Sequence, residues 1–196
     1  LSAMIAVSGD VKELEGDLGH ADQSSRVQCA VNWFGPSNLQ TMQSDSDKNA
    51  FSRMRHDGPN SPESLLIGGD VMKDKDKAAS ASPITYVSKD DCPTLHMHGD
   101  KDPIVPPQQS QALHDALTKA GVDSTLVYVE GAGHGFRGPD HIKRVREFAL
   151  KQNLSDDEVF KQFCEWIDVQ YFMDYFIAQT YICNSDMFNQ KYWRTQ

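Results

Sequence analysis

Two short, mainly apolar runs with a helical pattern between them constrain the fold of this chain more than any other feature. Residues 94–98 and residues 124–129 form these runs, and a glycine follows soon after each one. Residues 107–120 carry apolar side chains at the 3.6-residue spacing of a helix, and Gly121 is a stop signal. A strand, a helix and a second strand in this order predict two neighbouring strands of a parallel sheet.

A further strand is predicted earlier in the chain, at residues 27–34, before the turn at Gly35 and Pro36. Residues 40–63 are polar and predict a surface excursion, with short helices after Ser61 and at residues 75–81. Residues 1–7 resemble the inside of an apolar helix, so we expect that further sequence precedes them in the natural protein. The predicted fold class is therefore α/β, with about three parallel strands and their helices.

The composition argues against several kinds of partner. Hydrophobic residues make up 39% of the 196 residues, and the net charge of -9 argues against nucleic acid, whose phosphates need clustered Lys and Arg. No apolar run approaches the roughly 20 residues that cross a bilayer, and no signal peptide is visible, so we expect no membrane partner. No C-x-x-C pair occurs among the four cysteines, so we expect no metal site built from them: Cys29, Cys92, Cys164 and Cys183.

The ends of two predicted strands carry residues suited to acid–base chemistry. Residues 98–106 follow the first apolar run and include Asp102, and residues 130–136 follow the second and include His134. Because loops leaving the C-terminal ends of parallel strands converge on one crevice, we expect Asp102 and His134 to be neighbours. A carboxylate beside an imidazole accepts its Nδ1 proton and stabilises the imidazolium that forms during acyl transfer. These two residues are the predicted catalytic pair.

The two loops, H-G-D-x-D-P-x-V-P and G-x-G-H-G-F, resemble those of the α/β-hydrolase superfamily, in which the acid and then the histidine follow a serine nucleophile. Residues 33–37, 82–84 and 106–110 are similar to the esterase and prolyl-oligopeptidase-like branch, which includes bacterial feruloyl and acetyl-xylan esterases. The resemblance covers residues 1–145, as the C-terminal part of such a domain. It implies that Asp102, rather than Asp100, is the acid.

The resemblance also implies a nucleophile elbow, G-x-S-x-G, which this chain lacks. The nearest match, Gly35-Pro36-Ser37-Asn38-Leu39, fails at its last position, and neither Ser2 nor Ser8 follows a glycine at the required spacing. The implied activity is hydrolysis of a carboxylic ester, on a small-molecule or carbohydrate-linked substrate and without a cofactor.

Two alternatives to an active esterase stay open. The chain could be an inactive binding module, or one half of a split enzyme whose other part supplies the serine. The truncated sheet predicts an oligomer, or completion by an N-terminal segment. The family resemblance also suggests a secreted or periplasmic protein, whereas the sequence itself gives no location.

A metal-dependent hydrolase is the remote alternative. Residues 96–102 nearly match the H-x-H-x-D-H ligand pattern of zinc hydrolases, and His96 and His98 would face the same side of a strand. Lys101 stands where the third histidine of that pattern would be. We therefore expect no metal, and we expect His96 to be a core histidine whose N–H is satisfied.

The last fifty residues differ in composition from the rest, because they contain many aromatic residues at helical spacing and no further strand pattern. They predict a helical appendage, residues 146–196, after a hydrolase domain of residues 1–145. This segment resembles a fragment of the spore-coat protein H family of atypical kinases. The resemblance places Asn184, Asp186 and Asn189 near a nucleotide and metal site, but the phosphate-binding elements of that family are missing, so kinase activity is not expected.

Overall fold

The computed structural model describes residues 1–9, 11–16 and 23–136 of the chain. All of them lie within the first of the two units into which the chain divides, Leu1–Ala149. The predicted helical appendage and its kinase-like positions Asn184, Asp186 and Asn189 lie outside the described residues. The boundary between residues 145 and 146 therefore stays a prediction.

A three-stranded parallel sheet forms the centre of the described part. The strands are β1 (Ala30–Trp33), β2 (Thr94–Gly99) and β3 (Ser124–Val129), and β2 lies between the other two. Thr94 pairs with Ala30 on one side and with Ser124 on the other. All three strands run in one direction, so their C-terminal ends lie along one edge of the sheet. This arrangement confirms the predicted α/β class with three parallel strands.

Strand β1 is shorter than predicted and less buried than a central strand. Its backbone pairing begins at Ala30, whose N–H donates to the carbonyl oxygen of Pro93. Pro93 has no N–H to return a ladder bond, so the pairing does not extend toward residue 27. Only Asn32 is fully buried in β1, whereas every residue of β2 is buried. The predicted range of residues 27–34 was therefore too long for β1, which spans Ala30–Trp33.

Helix α6 (Gln108–Ala120) connects β2 to β3, as the apolar spacing predicts. It ends at Gly121, which adopts the left-handed conformation with a φ of 85° that glycine accepts without strain. Helix α1 (Ser2–Val7) shares one apolar core with α6 beside the sheet. That core consists of Ala3, Ala6, Val7, Cys92, Leu113, Leu117 and Val122.

The excursion between β1 and β2 contains three short helices and a 3-10 turn. They are α3 (Met42–Lys48), α4 (Pro62–Ile67), α5 (Lys75–Ser80) and the turn Pro83–Tyr86. An earlier short helix, α2, spans Lys12–Glu15. Helix α4 has strong local signals, because the Ser61 side chain accepts a hydrogen bond from the N–H of Ser64 and Gly68 ends the helix in a left-handed conformation.

Helix α3 was not predicted, because its sequence is polar and shows no apolar stripe. Met42 is nonetheless 1% exposed, and Gln43 and Ser46 are buried as well. Contacts with other parts of the chain stabilise this helix, and its local sequence pattern does not predict them. No helix in the described part of the chain is long and apolar enough to cross a bilayer.

Candidate active site

The turn that follows β2 holds Asp102 in a buried position with its carboxylate fully engaged. One carboxylate oxygen, Oδ1, accepts hydrogen bonds from the backbone N–H groups of Ile104 at 2.8 Å and Val105 at 3.0 Å. The residue has no exposed surface. The D-P-x-V segment thus forms a tight turn around the carboxylate and fixes its direction.

The loop that follows β3 brings His134 to the other carboxylate oxygen. His134 opens a short 3-10 turn, His134–Phe136, and its Nδ1 lies 2.8 Å from Oδ2 of Asp102. The predicted neighbours on the two strand ends are therefore in direct contact. With Nδ1–H donating to the carboxylate, Nε2 of the imidazole carries the lone pair that a general base needs.

The electrostatics of the pair favour a charged carboxylate beside the imidazole. Burial opposes ionisation, but hydrogen bonds from His134, from His98 and from the backbone N–H of Ile104 outweigh it. Together they hold the pKa of the Asp102 carboxyl below its usual range. The His134 side chain is 32% exposed, so the imidazole is open to an approaching group while its partner is not.

Asp100 has a different role from Asp102. Its Oδ1 accepts a hydrogen bond of 2.6 Å from the backbone N–H of Gly131, at the start of the loop that carries His134. The N–H of Lys101 donates to the carbonyl oxygen of Ala132 at 3.0 Å. These contacts tie the loop after β3 to the loop after β2, so Asp100 supports the loop and does not contact the imidazole.

Gly99 allows the two loops to approach this closely. A Cβ at this position would lie 2.7 Å from the carbonyl oxygen of Gly133 and closer still to that of Ala132. Both atoms belong to the backbone, so neither moves aside by a change of rotamer. A glycine is therefore required where β2 passes beneath the histidine loop.

Aromatic side chains surround the imidazole. The rings of Phe34 and His134 have centroids 4.5 Å apart, and Phe136 packs against both Phe34 and Trp33. Phe136 is 3% exposed and is thus part of the packing beside the histidine. Phe34 has a φ of 41°, which is rare for a bulky residue and costs roughly 1–3 kcal/mol. No feature of the sequence predicts this strained backbone or the contact of Phe34 with His134.

The excursion also reaches the acid loop. The side-chain amide of Asn49 donates to the backbone carbonyl of Asp102 at 2.8 Å. The backbone N–H of Arg53 donates to the backbone carbonyl of Pro103 at 2.8 Å. Both contacts join residues about fifty positions apart in the chain. The segment expected to be a surface excursion thus supports the candidate site from one side.

The zinc-like pattern at residues 96–102 does not form a ligand set. Both ring nitrogens of His98 are in hydrogen bonds, with Nε2 2.9 Å from the carbonyl oxygen of Val105 and Nδ1 2.7 Å from the hydroxyl of Ser110. Within the described ranges, no three His, Cys, Asp or Glu residues converge as metal ligands would.

His96 differs from the expectation of a satisfied N–H. Its Nδ1 lies 3.2 Å from the side-chain amide nitrogen of Asn32, which donates to it, so the ring proton of the neutral imidazole is on Nε2. That nitrogen is buried and finds no hydrogen-bond partner among the residues described. Burial, with smaller contributions from His114 and His98, lowers the pKa of His96 to about 4. The expectation was wrong because none of the described residues places an acceptor within reach of Nε2.

Ser37, in the nearest match to a nucleophile motif, is not placed as a nucleophile. Its hydroxyl donates to the backbone carbonyl oxygen of Gln109 at 2.5 Å, and its N–H donates to the Gln109 side chain at 2.9 Å. Ser37 is completely buried. It therefore belongs to the contact between the end of β1 and the start of α6.

Comparison with known families agrees with this geometry. A family model described as BD-FAE matches residues 1–117, which is more than half of the chain. The chain belongs to the BD-FAE family. A second model, the dienelactone hydrolase family, matches residues 77–167 and so includes both Asp102 and His134. This second match continues beyond residue 146, where we predict that the helical appendage begins.

The relatives of this BD-FAE family member include esterases of known sequence and structure. Esterase LipQ of Mycobacterium tuberculosis is 29% identical over 158 residues, which are 80% of this chain and 34% of LipQ. A truncated carbohydrate esterase from gut microbiota is 31% identical with a TM-score of 0.60, over 77% of this chain and 55% of that one. A bifunctional GH43-CE protein of Bacteroides eggerthii is 32% identical with a TM-score of 0.60, over 76% of this chain and 22% of that one.

These comparisons confirm the predicted α/β-hydrolase fold and its esterase-like branch. The chain spans about a third of LipQ and about half of the truncated carbohydrate esterase. It therefore corresponds to part of an α/β-hydrolase domain, as the resemblance implies. The likeness of residues 146–196 to the spore-coat protein H family stays a prediction.

Proposed function

We propose that this chain forms the acid–base part of a carboxylic ester hydrolase, with His134 as the general base and Asp102 as the residue that orients it. The single observation that carries the proposal is the 2.8 Å contact between Nδ1 of His134 and Oδ2 of Asp102. In it, a buried carboxylate meets a partly exposed imidazole. The family relationship supports the same assignment.

In the proposed reaction, a serine hydroxyl attacks the acyl carbon of the ester while its proton passes to Nε2 of His134. The imidazolium then gives that proton to the leaving alcohol as the ester C–O bond breaks. Water repeats the sequence on the acyl-enzyme, which releases the acid and restores the serine. Asp102 stays ionised throughout, because hydrogen bonds from His134 and from the backbone N–H groups of Ile104 and Val105 stabilise its negative charge.

The nucleophile of this proposal lies outside the 196 residues. The sequence has no G-x-S-x-G motif, and the hydroxyl of its nearest approximation, Ser37, is used by Gln109. A longer form of the protein or a second chain has to supply the serine together with the groups that stabilise the oxyanion. For the same reason, the acyl and alcohol pockets include residues that this chain does not contain.

The proposed substrate is an acyl ester carried by a carbohydrate. Two similar structures support this class, since they are a carbohydrate esterase and a protein that pairs a GH43 unit with a CE unit. Identity of 31% and 32% to those chains exceeds that to LipQ, but the chain covers only part of each. Acetylated or feruloylated polysaccharide fragments are the compounds to test first.

The test uses the protein made from the complete reading frame that contains these residues. We expect a fluorophosphonate probe to label one serine and aryl acetates to be hydrolysed. The variant His134→Gln should lose both reactions. The matched control is His114→Gln, because His114 contacts the hydroxyl of Ser124, away from the Asp102 carboxylate.

Two results would contradict the proposal. If the complete protein is folded but is neither labelled nor active, the inactive binding module is the better interpretation. If His134→Gln retains the rate of the unmodified protein, another residue is the base. Labelling that appears only after a second polypeptide is added would instead support the split-enzyme form of the same chemistry.

A further inference from the structure

A second histidine lies beside the candidate pair and exchanges no proton in the reaction proposed above. His98 is on β2, four residues before Asp102, and its Nε2 is 3.3 Å from Oδ2 of Asp102. That oxygen is the one that His134 contacts. Both His98 and Asp102 have no exposed surface, so this contact is shielded from solvent.

The hydrogen bonds of His98 fix the position of its ring proton. A backbone carbonyl only accepts, so the 2.9 Å contact with the oxygen of Val105 requires that Nε2 carries the proton in the neutral ring. Nδ1 then accepts from the hydroxyl of Ser110 at 2.7 Å. Ser110 is itself completely buried, on the first turn of α6. The N–H of His98 therefore donates to the oxygen of Val105, and Oδ2 of Asp102 lies 3.3 Å from the same nitrogen.

This geometry places N–H groups beside both oxygens of the Asp102 carboxylate. Ile104 and Val105 donate to Oδ1, His134 donates to Oδ2, and Nε2 of His98 lies 3.3 Å from Oδ2. Without His98, one side of Oδ2 would face a buried region with no donor, and a buried carboxylate in that state is costly. The carboxylate would then rotate or take up a proton, and either change weakens its contact with His134.

We propose that His98, held by Ser110, is a positioning residue that keeps the Asp102 carboxylate charged and directed at His134. This role rests on the proposed function, in which the contact between Asp102 and His134 orients the general base. It uses three buried side chains on β2, α6 and the turn after β2. The Ser110 hydroxyl holds the His98 ring, and the ring in turn holds the Asp102 carboxylate.

The test measures the Nδ1 proton of His134 by NMR, in the complete protein with isotope-labelled histidine. A proton held between imidazole and carboxylate resonates far downfield and exchanges slowly with water. In His98→Phe, which keeps the ring but removes both nitrogens, we expect its exchange to accelerate about tenfold or more, the effect of losing a hydrogen bond to a charged group. His98→Gln, which restores an N–H near the position of Nε2, should recover most of the protection.

Matched controls use a second His–Ser pair among the described residues, in which Nδ1 of His114 contacts the hydroxyl of Ser124 at 2.9 Å. His114→Phe and Ser124→Ala should leave the His134 proton unchanged. Ser110→Ala should accelerate its exchange, although less than His98→Phe does. If His98→Phe does not fold, the comparison of Ser110→Ala with Ser124→Ala decides the question.

Two outcomes overturn the positioning role. The first is a folded His98→Phe protein with an unchanged His134 proton, and the second is a His98→Gln protein that recovers none of the protection. Neither measurement needs turnover, so each is separate from a failure of the ester-hydrolase proposal. If turnover is found, His98→Phe should lower kcat and leave KM unchanged, because His98 does not touch the substrate.

Discussion

Substituting Gly99 by alanine tests whether the close approach of two backbone segments holds His134 in place. The new Cβ would lie 2.7 Å from the carbonyl oxygen of Gly133, and ordinary contact begins at 3.4 Å. The histidine loop must therefore retreat by at least about 0.7 Å. A retreat of that size along the 2.8 Å contact between His134 and Asp102 stretches it to about 3.5 Å, the limit of a hydrogen bond.

We expect two measurable consequences of Gly99→Ala. Overpacking against backbone atoms should lower the free energy of unfolding by about 1–3 kcal/mol, measured by urea denaturation of the complete protein. Misplacement of the base by nearly 1 Å should lower kcat on an aryl ester by roughly 10²-fold. The NMR signal of the His134 Nδ1 proton should weaken in the same variant.

The matched control is Gly58→Ala, because a Cβ at Gly58 meets nothing within 4 Å and the residue has no positive φ. This variant should change the free energy of unfolding by less than about 1 kcal/mol and should leave kcat unaltered. A Gly99→Ala protein as stable as Gly58→Ala, with its His134 proton intact, would refute the reasoning about the loop.

The remaining predictions concern the acid residue and the sheet edge. In the complete protein, Asp102→Asn should lower turnover by about 10⁴-fold and Asp100→Asn far less, and the reverse ranking would show that the acid is misassigned. Since the pKa of Asp102 is lowered by folding from 3.8, its charge stabilises the protein above about pH 4 and loses that effect below it. Urea unfolding should therefore show that Asp102→Asn loses less stability than the unmodified protein between about pH 7 and about pH 3. The 196-residue chain alone should not hydrolyse aryl esters above a background rate. It should also self-associate through the edge of β1, and sedimentation of a compact monomer at every concentration would contradict this.

The sequence alone determined that β2 and β3 are neighbouring strands and that Asp102 and His134 meet at their ends. Apolar runs separated by one helix predict adjacent parallel strands, and the loops at their C-terminal ends must then lie side by side. The contact of Asp102 with His134 follows from this rule, because each residue stands a few positions beyond its strand. The family resemblance implies that Asp102 rather than Asp100 is the acid, and in the fold Asp102 contacts His134 while Asp100 contacts the N–H of Gly131.

Only the tertiary structure decided how the pair is supported. Asn49 reaches the Asp102 loop from a polar segment 53 positions earlier, and Phe34 contacts the His134 ring from the end of another strand. Such contacts depend on the path of the whole chain, which periodicity does not encode. His98 is the clearest case, since spacing alone gave it the geometry of a metal ligand. In the folded chain, Ser110 and Val105 occupy both of its ring nitrogens, and its Nε2 lies 3.3 Å from Oδ2 of Asp102.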